Sequence, residues 1–474
     1  MTNLSEQTQQ LSPPHERRPV TVGMAVVLGL VSMAYPSALP SLGSYSVIFS
    51  PGSPLLSSVV TIIVVLALVQ VITFFARRYV GTGGLLTYTY NPQRPFAGLL
   101  VAASLIGGYL AVIAAIVASA SQYVVSILTK AGLDGVASPL AQAGIVALAG
   151  GFIGLVSYFG IEASFKLVAI LGLAGMPFFL WVTVQGGLTV GLDFAPVLGT
   201  DTFNSGSILL GIALALGAFI GIDSVATLAS DTANPRRNIP RIMYIVVLVG
   251  IPVVLISLVF SAPVVAQLGD QMTAGAASSI SALAFASGLG WMSVPLDVLG
   301  LCATIAMGIT MQNYAARFLA AGADVGLLPR FLGRLSAKRG NPTTAAVVLA
   351  IVAVGVPVLV GLVTAASPIS LAIDVGVQVQ YAWSISYIVV CVVAIWAIGR
   401  KARQHWGTLV CAVVGLLGFA GLEVNTLKDG FASTGSAQAC VTVLVVFGIF
   451  AVFVVSHLVR RGRSVDLAAI DRVE

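Results

Sequence analysis

The chain has 474 residues, of which 58% are hydrophobic and 8% charged, with a mean hydropathy of +1.02 and a net charge of +6. Soluble globular domains carry about a quarter of their residues as Asp, Glu, Lys or Arg, so this composition excludes that class. It predicts an integral membrane protein built from α-helices, because a backbone in lipid must satisfy its own hydrogen bonds.

Twelve apolar runs are long enough to cross a membrane. A hydrocarbon core of about 30 Å requires helices of at least roughly 18 residues, and continuous apolar runs of this length are not typical of barrel strands. The predicted spans are residues 21–47, 53–76, 96–128, 138–159, 165–190, 206–230, 241–267, 291–321, 343–365, 368–398, 406–427 and 436–460.

The positions of lysine and arginine predict the orientation of these spans. With a cytoplasmic N terminus, all of the 23 basic residues except Lys130 and Lys428 fall on the inner side. This agrees with the positive-inside rule, so we expect a multi-pass protein of the cytoplasmic membrane with both termini in the cytoplasm. The net charge therefore predicts topology and contact with anionic lipid, and it argues against nucleic acid as a partner.

No long soluble insertion or low-complexity linker divides the spans. One membrane domain is expected at residues 20–461, between tails at 1–19 and 462–474. The N-terminal tail lacks a short apolar core with a small-residue cleavage site, which argues against a removable signal peptide. The four cysteines lie in or beside apolar spans without a close pair, so neither a metal nor a cofactor is expected.

The first span contains Pro36 and Pro40 within a serine-rich stretch. Proline removes a backbone donor and clashes with the preceding turn, while serine hydroxyls can bond the freed groups, so a kinked or unwound midpoint is predicted. A kink that serves only packing is the alternative.

The sixth span carries Gly211, Gly217 and Gly221, which permit a second break. The two breaks lie five spans apart, as an inverted repeat of five plus five helices requires. Half-helix N termini can receive a carboxylate and free carbonyls an ammonium group, so such a site suits a zwitterion. Repeat one is then expected at about residues 21–190, repeat two at about 206–398, and two extra helices at about 406–460.

Five short motifs lie between residues 219 and 342. They are Phe219–Thr227 (FIGIDSVAT), Asn234–Pro240 (NPRRNIP), Asn313–Leu319 (NYAARFL), Gly326–Arg330 (GLLPR) and Gly340–Pro342 (GNP). This set resembles the amino acid–polyamine–organocation (APC) transporter superfamily over about residues 21–400. The resemblance implies an all-α membrane protein with 12 transmembrane helices, in the leucine-transporter-type 5+5 inverted repeat plus two C-terminal helices.

The resemblance also implies the substrate site, carried over position by position. The carboxylate side of a bound amino acid is assigned to Ala34, Tyr35, Pro36 and Ser37, and its amino group to the backbone of Gly217, Ala218, Phe219, Ile220 and Gly221. The first span has Tyr35-Pro36-Ser37 in place of the glycine-rich break common in the family. Gly217 stands where some members carry a gating aromatic, so the occluding residue is expected to be Phe219 or a residue elsewhere.

Acidic residues inside spans are costly in lipid and are functional hypotheses by default. Asp223, just beyond the sixth-span break, is the candidate for a coupling proton or for gating, with structural hydrogen bonding as the alternative. Asp297 and Asp374 are candidates to line the external vestibule, although acids near a helix end can also reach the headgroups. Glu423 is expected at the membrane interface.

Asp231, at the inner end of the sixth span, is predicted to lock an inner gate. The predicted partners are the arginines Arg77, Arg78, Arg236, Arg237 and Arg241. Anchoring of the cluster of Arg236, Arg237 and Arg241 by the positive-inside rule alone is the alternative.

The resemblance bears on the coupling ion as well. Thr304 is available in the eighth span for a sodium site, but no adjacent serine–threonine pair accompanies it, so sodium is disfavoured. Some proton-coupled relatives place a lysine in the fifth helix, where this chain has Gly175. Proton symport and substrate exchange both stay open.

The expected function is a secondary active transporter, a permease that moves amino acids by alternating access, with a weak preference for a neutral substrate. A polyamine or organic-cation carrier is the first alternative and a non-transporting amino acid sensor the second. A channel would show a repeated filter or charged ring. An enzyme would need a convergent set of nucleophile, base or metal ligands, whereas the histidines lie near the cytoplasmic ends of spans, so no enzymatic activity is expected.

Overall fold

A computed structural model describes most of the chain and almost all of its regular structure is helical. The described residues are 20–33, 35–40, 42–43, 53–91, 95–198, 205–273, 278–336, 340–364, 368–399, 403–428, 430–431, 434–459 and 471–472. Ala34 and both predicted tails, apart from residues 471–472, lie outside the described residues.

The described α-helices are α1 (Val22–Ser32), α2 (Tyr35–Ala38), α3 (Pro54–Ala76), α4 (Leu85–Thr89), α5 (Phe96–Lys130), α6 (Pro139–Tyr158), α7 (Ile161–Leu173), α8 (Met176–Val190), α9 (Ala195–Leu198), α10 (Ser205–Leu216), α11 (Pro235–Thr273), α12 (Ser279–Ala286), α13 (Ser293–Asp324), α14 (Thr343–Thr364), α15 (Pro368–Gly399), α16 (Trp406–Leu427) and α17 (Thr434–Val459). Short 3₁₀ helices lie at Asp134–Ala137, Ile222–Asp231, Gly290–Met292 and Arg330–Gly333. Strand β1 (Tyr79–Val80) pairs antiparallel with β2 (Asp471–Arg472).

Ten helical stretches in the described part of the chain are long and apolar enough to cross a membrane. They coincide with the second to fifth and the seventh to twelfth predicted spans. Proline occupies the first turn of α3, α6 and α8, where its missing N–H group leaves no helical bond unmade. The protein is therefore a multi-pass membrane protein.

In the described part of the chain the first and sixth predicted spans are interrupted, and the fifth is divided only by the short turn between α7 and α8. Helices α1 and α10 have 11 and 12 residues, which is too short to cross the hydrocarbon core. Helix α1 ends at Ser32, whose hydroxyl donates to the Gly29 carbonyl at 2.9 Å. Helix α10 ends at Leu216, and the chain resumes as the 3₁₀ helix Ile222–Asp231. Proline in one span and glycine in the other thus end the helices where the sequence predicted.

Helix α5 lies at the centre of the bundle. In its most apolar stretch 72% of the residues are buried inside the protein, compared with 17% for α17. Helix α5 packs against α13, α14 and α15. Gly108 lets α15 approach closely, because a Cβ atom there would lie 2.7 Å from the Trp383 ring. This close approach packs α15 against α5.

Candidate substrate site and gates

Gly221 forms the turn between α10 and the 3₁₀ helix of the sixth span. Its φ of +89° lies in the left-handed region that favours glycine. There is also too little room for a side chain here, because a Cβ atom at this position would lie 2.7 Å from Cε of Met311. The Gly221 N–H group donates to the Tyr387 hydroxyl at 3.2 Å. A side chain of α15 therefore satisfies a backbone group that the break in the helix sets free.

Asp223 is the buried acid of this segment, with 1% of its surface exposed. Its Oδ1 atom accepts hydrogen bonds from the Tyr387 hydroxyl at 2.7 Å and from Nε1 of Trp383 at 3.0 Å. The two donors lie one turn apart on α15 and so share one face of the helix. A buried carboxyl group needs such partners, and here they join the sixth span to the tenth.

Aromatic rings surround the Asp223 carboxyl group. The Tyr109 ring of α5 meets the Trp383 ring edge-on, with centroids 4.9 Å apart, and lies 5.5 Å from the Phe318 ring. The hydroxyls of Tyr109 and Ser224 are 2.8 Å apart. Sequence reasoning identified Asp223 but missed these aromatic residues. Polar aromatics at i and i+4 within an apolar span were the available signal.

The two interrupted spans meet at Tyr35 and Phe219. The ring centroids are 6.2 Å apart at an interplanar angle of 70°, and both side chains are buried. Gly250 of α11 leaves room for this pair, since a Cβ atom there would lie 2.2 Å from the Tyr35 hydroxyl oxygen. That hydroxyl is buried and has no hydrogen-bond partner in the described part of the chain. An orphaned buried hydroxyl costs about 1–3 kcal/mol, so this hydroxyl is a donor that lacks its acceptor at the contact of the two spans.

The other predicted substrate residues lie around this contact. The backbone of Pro36 and Ser37 belongs to α2. Gly217, Ala218 and Ile220 form the turn after α10, in which the side chains of Ala218 and Ile220 are buried. Ala34 lies outside the described residues.

Asp231 forms an ion pair with Arg317 of α13. The prediction of a partner among the arginines at 77, 78, 236, 237 and 241 is therefore wrong. Arg78 instead stacks over the Phe74 ring, with its Cζ atom 3.6 Å from the ring centroid. The other four predicted arginines line a separate cavity. The chain turns at Asn234, at a φ of +48°, before α11 begins, and this turn separates Asp231 from the basic residues that follow it.

Asp297 lies in a buried polar cluster at the opposite end of α13 from Arg317. Its carboxylate pairs with Lys130 Nζ at 2.7 Å and is itself fully buried, whereas the Lys130 side chain is 21% exposed. Hydroxyls of three serines donate to the same carboxylate, namely Ser126, Ser278 and Ser281. In this arrangement Asp297 joins α5, α12 and α13.

The remaining predicted coupling residues lie apart from Asp223. Asp374 is exposed on α15. The Thr304 hydroxyl donates to the Gly300 carbonyl of its own helix at 2.8 Å. At Gly175, a Cβ atom would lie 2.5 Å from the Phe179 ring, so a longer side chain at this position requires that ring to move.

Glu423 is buried within the bundle, with 7% of its surface exposed, so its prediction as an interfacial residue is wrong. Both carboxyl oxygens are without a hydrogen-bond partner in the described part of the chain. Phe419, one turn earlier on α16, packs against the Tyr387 ring with centroids 5.0 Å apart. Residues at i and i+4 share a face, so Glu423 lies on the face that α16 turns toward α15.

Comparison with known proteins finds transporters of similar sequence. Uncharacterized transporters of Mycobacterium tuberculosis and Mycobacterium bovis are each 28% identical over 342 residues, which cover 71% of this chain and 73% of theirs. A vacuolar cationic amino acid transporter of Arabidopsis thaliana is 27% identical over 205 residues, 41% of this chain. The match spans only 32% of that plant protein.

The family comparison covers nearly the whole chain. The amino acid permease family matches residues 24–460, which include both interrupted spans and the last two helices, α16 and α17. The apolar helices and the motifs of the sixth and eighth spans agree with this assignment. The chain belongs to the amino acid permease family of the APC superfamily and is a membrane transporter.

Proposed function

We propose that this permease moves amino acids across the cytoplasmic membrane by alternating access. Twelve spans, in two inverted five-helix repeats with two extra helices, would place both interruptions near the bilayer midplane. One domain over residues 20–461 and cytoplasmic termini belong to the same proposal. The meeting of Tyr35 and Phe219 supports it, because it joins the interruptions of the first and sixth spans.

The observation that carries the proposal is the buried Tyr35 hydroxyl without a partner. A substrate carboxylate beside it would accept its hydrogen bond and relieve the cost of the orphaned donor. Phe219 packs edge-on against the same ring and is the proposed occluding residue. The backbone carbonyl groups in the turn from Gly217 to Gly221 are the proposed acceptors for the amino group, as unwound backbone carbonyls are suited to cations.

Asp223 is the proposed coupling residue. It is buried, lies two residues beyond Gly221, and is tied to α15 through Tyr387, which also binds the Gly221 backbone. A change in its protonation would alter the hydrogen bonds that hold the unwound segment against α15. Proton symport through Asp223 and substrate exchange are the two modes to separate, and Thr304, already bonded within its own helix, gives little support to sodium.

A cationic substrate is the second candidate. The plant relative is named a cationic amino acid transporter. The buried carboxyl group of Asp223 beside the interrupted segment would suit a positively charged side chain or a polyamine. A sensor that binds an amino acid without moving it is the third.

Uptake by the purified full-length protein in proteoliposomes tests these alternatives. Neutral amino acids, cationic amino acids and polyamines are supplied as labelled substrates, with or without an inward proton gradient and with or without unlabelled substrate inside. Gradient-driven accumulation supports symport, and uptake that requires internal substrate supports exchange. Binding without uptake would support the sensor and overturn the transport proposal.

Tyr35→Phe tests the position of the site. Loss of a hydrogen bond to a charged group, about 1.5–3 kcal/mol, should weaken the apparent affinity by about 10- to 100-fold. Removal of an orphaned hydroxyl should leave the substrate-free protein as stable as before or more so. Tyr158→Phe, at an exposed position, is the matched control. Unchanged affinity in the Tyr35 variant would place the carboxylate elsewhere.

A further inference from the structure

A cavity of about 620 Å³ lies where α3 ends and α11 begins. Its lining consists of four arginines with a proline and a tyrosine, namely Arg77, Arg236, Arg237, Arg241, Pro240 and Tyr244. Lysine and arginine placement predicts that this face of the membrane is cytoplasmic, and we call it the inner face. The cavity is separate from the Tyr35 and Asp223 region and has no part in the proposed transport step.

The charges around this cavity are not balanced by described carboxylates. The ion pairs among described side chains are Lys130 with Asp297 and Arg317 with Asp231, and neither includes an arginine of the cavity. Asp231, the predicted partner of these arginines, pairs instead with Arg317 of α13. Four guanidinium groups around one cavity repel one another, and this repulsion favours an anion between them.

The helix that supplies three of these arginines adds to the positive potential. Arg236 and Arg237 lie in the first turn of α11, which begins at Pro235 and continues for 39 residues. Positive side chains are unfavourable at a helix N terminus, where the helix dipole already presents partial positive charge. An anion bound there would interact favourably with both the side chains and the dipole.

A buried donor in the lining also lacks a partner. The Nε atom of Arg236 is inaccessible to solvent and makes no hydrogen bond within the described part of the chain. Such a donor costs more when it belongs to a charged group, so a missing acceptor is indicated. This observation is independent of the net charge and shows that the described protein does not supply the counter-group that the Arg236 guanidinium lacks.

We propose that this cavity binds a phosphate-bearing anion. Arginine presents a planar fork of donors that matches phosphate oxygens bidentately, and several arginines can share one phosphate group. At the membrane surface the phosphate can belong to an anionic lipid headgroup, and from solution it can be free phosphate. Either ligand would hold the N terminus of α11, which follows Asp231 by a short turn, and thereby steady the chain beside the Asp231–Arg317 pair.

Thermal unfolding of the full-length protein in neutral detergent tests the site. The probes are phosphatidylglycerol, phosphatidylcholine and inorganic phosphate, each titrated at constant ionic strength. The variant is R236Q/R237Q. The matched control is R330Q/R334Q, which removes the same charge from exposed arginines of another connection on the inner face.

We expect saturable stabilisation by phosphatidylglycerol and none by phosphatidylcholine. Each arginine near an anionic surface contributes about fivefold, so R236Q/R237Q should raise the half-saturating lipid concentration on the order of 25-fold, and the control much less. Stabilisation by inorganic phosphate with the same dependence on Arg236 and Arg237 would assign the site to a free anion. Equal losses in the two double variants would indicate diffuse surface charge and overturn the proposal, as would the absence of stabilisation by both anions.

Discussion

Arg317 of α13 donates to the carboxylate of Asp231, and the backbone carbonyl of Asp231 accepts a hydrogen bond from the Val20 N–H group at 2.7 Å. Val20 also forms a parallel bridge with Thr232. Asp231 therefore ties together the segment before α1, the end of the sixth span and α13. An opening between these three elements would have to break this junction, so we propose that it acts as the inner lock.

Asp231→Asn is expected to favour the inward-open state and to lower uptake. The two side chains are partly exposed, at 17% and 18%, so removing the ion pair should cost about 1 kcal/mol. This corresponds to a shift of about fivefold in the ratio of inward-open to closed protein. Alkylation of an Ala229→Cys probe, in a background without the four native cysteines, measures the opening. Exchanging the charges, with Asp231→Arg and Arg317→Asp together, should restore part of the difference. Unchanged uptake and alkylation in Asp231→Asn would argue against the lock.

Asp223→Asn separates coupling from structure. Asparagine keeps an acceptor oxygen for Trp383 and Tyr387, so unfolding free energy should change by no more than about 1 kcal/mol. It cannot titrate, so accumulation driven by a proton gradient should be lost while exchange continues. Proteoliposome uptake under both regimes provides the measurement. Accumulation that persists in the variant would leave Asp223 with a structural role alone.

The Tyr387 hydroxyl donates a hydrogen bond to the Asp223 carboxyl group and accepts one from the Gly221 N–H group, and Tyr387→Phe removes both bonds. A buried group left without its partner costs about 1–3 kcal/mol, so this variant should be less stable than Asp223→Asn. Thermal unfolding ranks the two variants against a Tyr158→Phe control. The reverse order would mean that the unwound segment is held by other contacts.

The positions of the helix breaks could be predicted from sequence because proline and glycine act on the adjacent backbone. The partners of the freed groups could not, because Trp383 and Tyr387 are about 160 residues from Asp223 and reach it only through the packing of α15. The partner of Asp231 was missed for the same reason. The basic residues that follow it in sequence were predicted as partners, but the turn at Asn234 separates them from Asp231.

Glu423 illustrates a different limit. Its distance from the end of α16 indicated an interfacial residue, yet neighbouring helices cover it. The distance of a residue from the end of its helix therefore does not predict whether other helices pack over it.

The pair of Lys130 and Asp297 predicts unequal effects of its two single variants. Lys130→Met leaves a fully buried carboxylate without its cation, which costs about 3–5 kcal/mol. Asp297→Asn leaves a lysine that is already 21% exposed and can turn toward water, so its loss should be smaller. Thermal unfolding of both full-length variants gives the comparison. Equal and small losses would mean that the three serines, without the lysine, suffice for Asp297.

Gly221→Ala tests whether the shape of the unwound segment is required for transport. An alanine in the left-handed region costs about 1–2 kcal/mol, and its Cβ atom would also press on Met311. We expect a clear loss of stability and of uptake. Adding Met311→Ala to the Gly221→Ala variant should remove the part of the stability loss that comes from the steric contact. The part that comes from the left-handed backbone conformation should persist.

Gly151→Ala in α6 is the matched control for Gly221→Ala, because no atom lies within 4 Å of the added Cβ. In a helix this change should be neutral or should stabilise the protein by up to about 1 kcal/mol. Thermal unfolding and proteoliposome uptake are measured for all three variants. If Gly221→Ala behaves like Gly151→Ala, the left-handed turn is dispensable, and the proposal that free backbone at this break binds the amino group loses its structural basis.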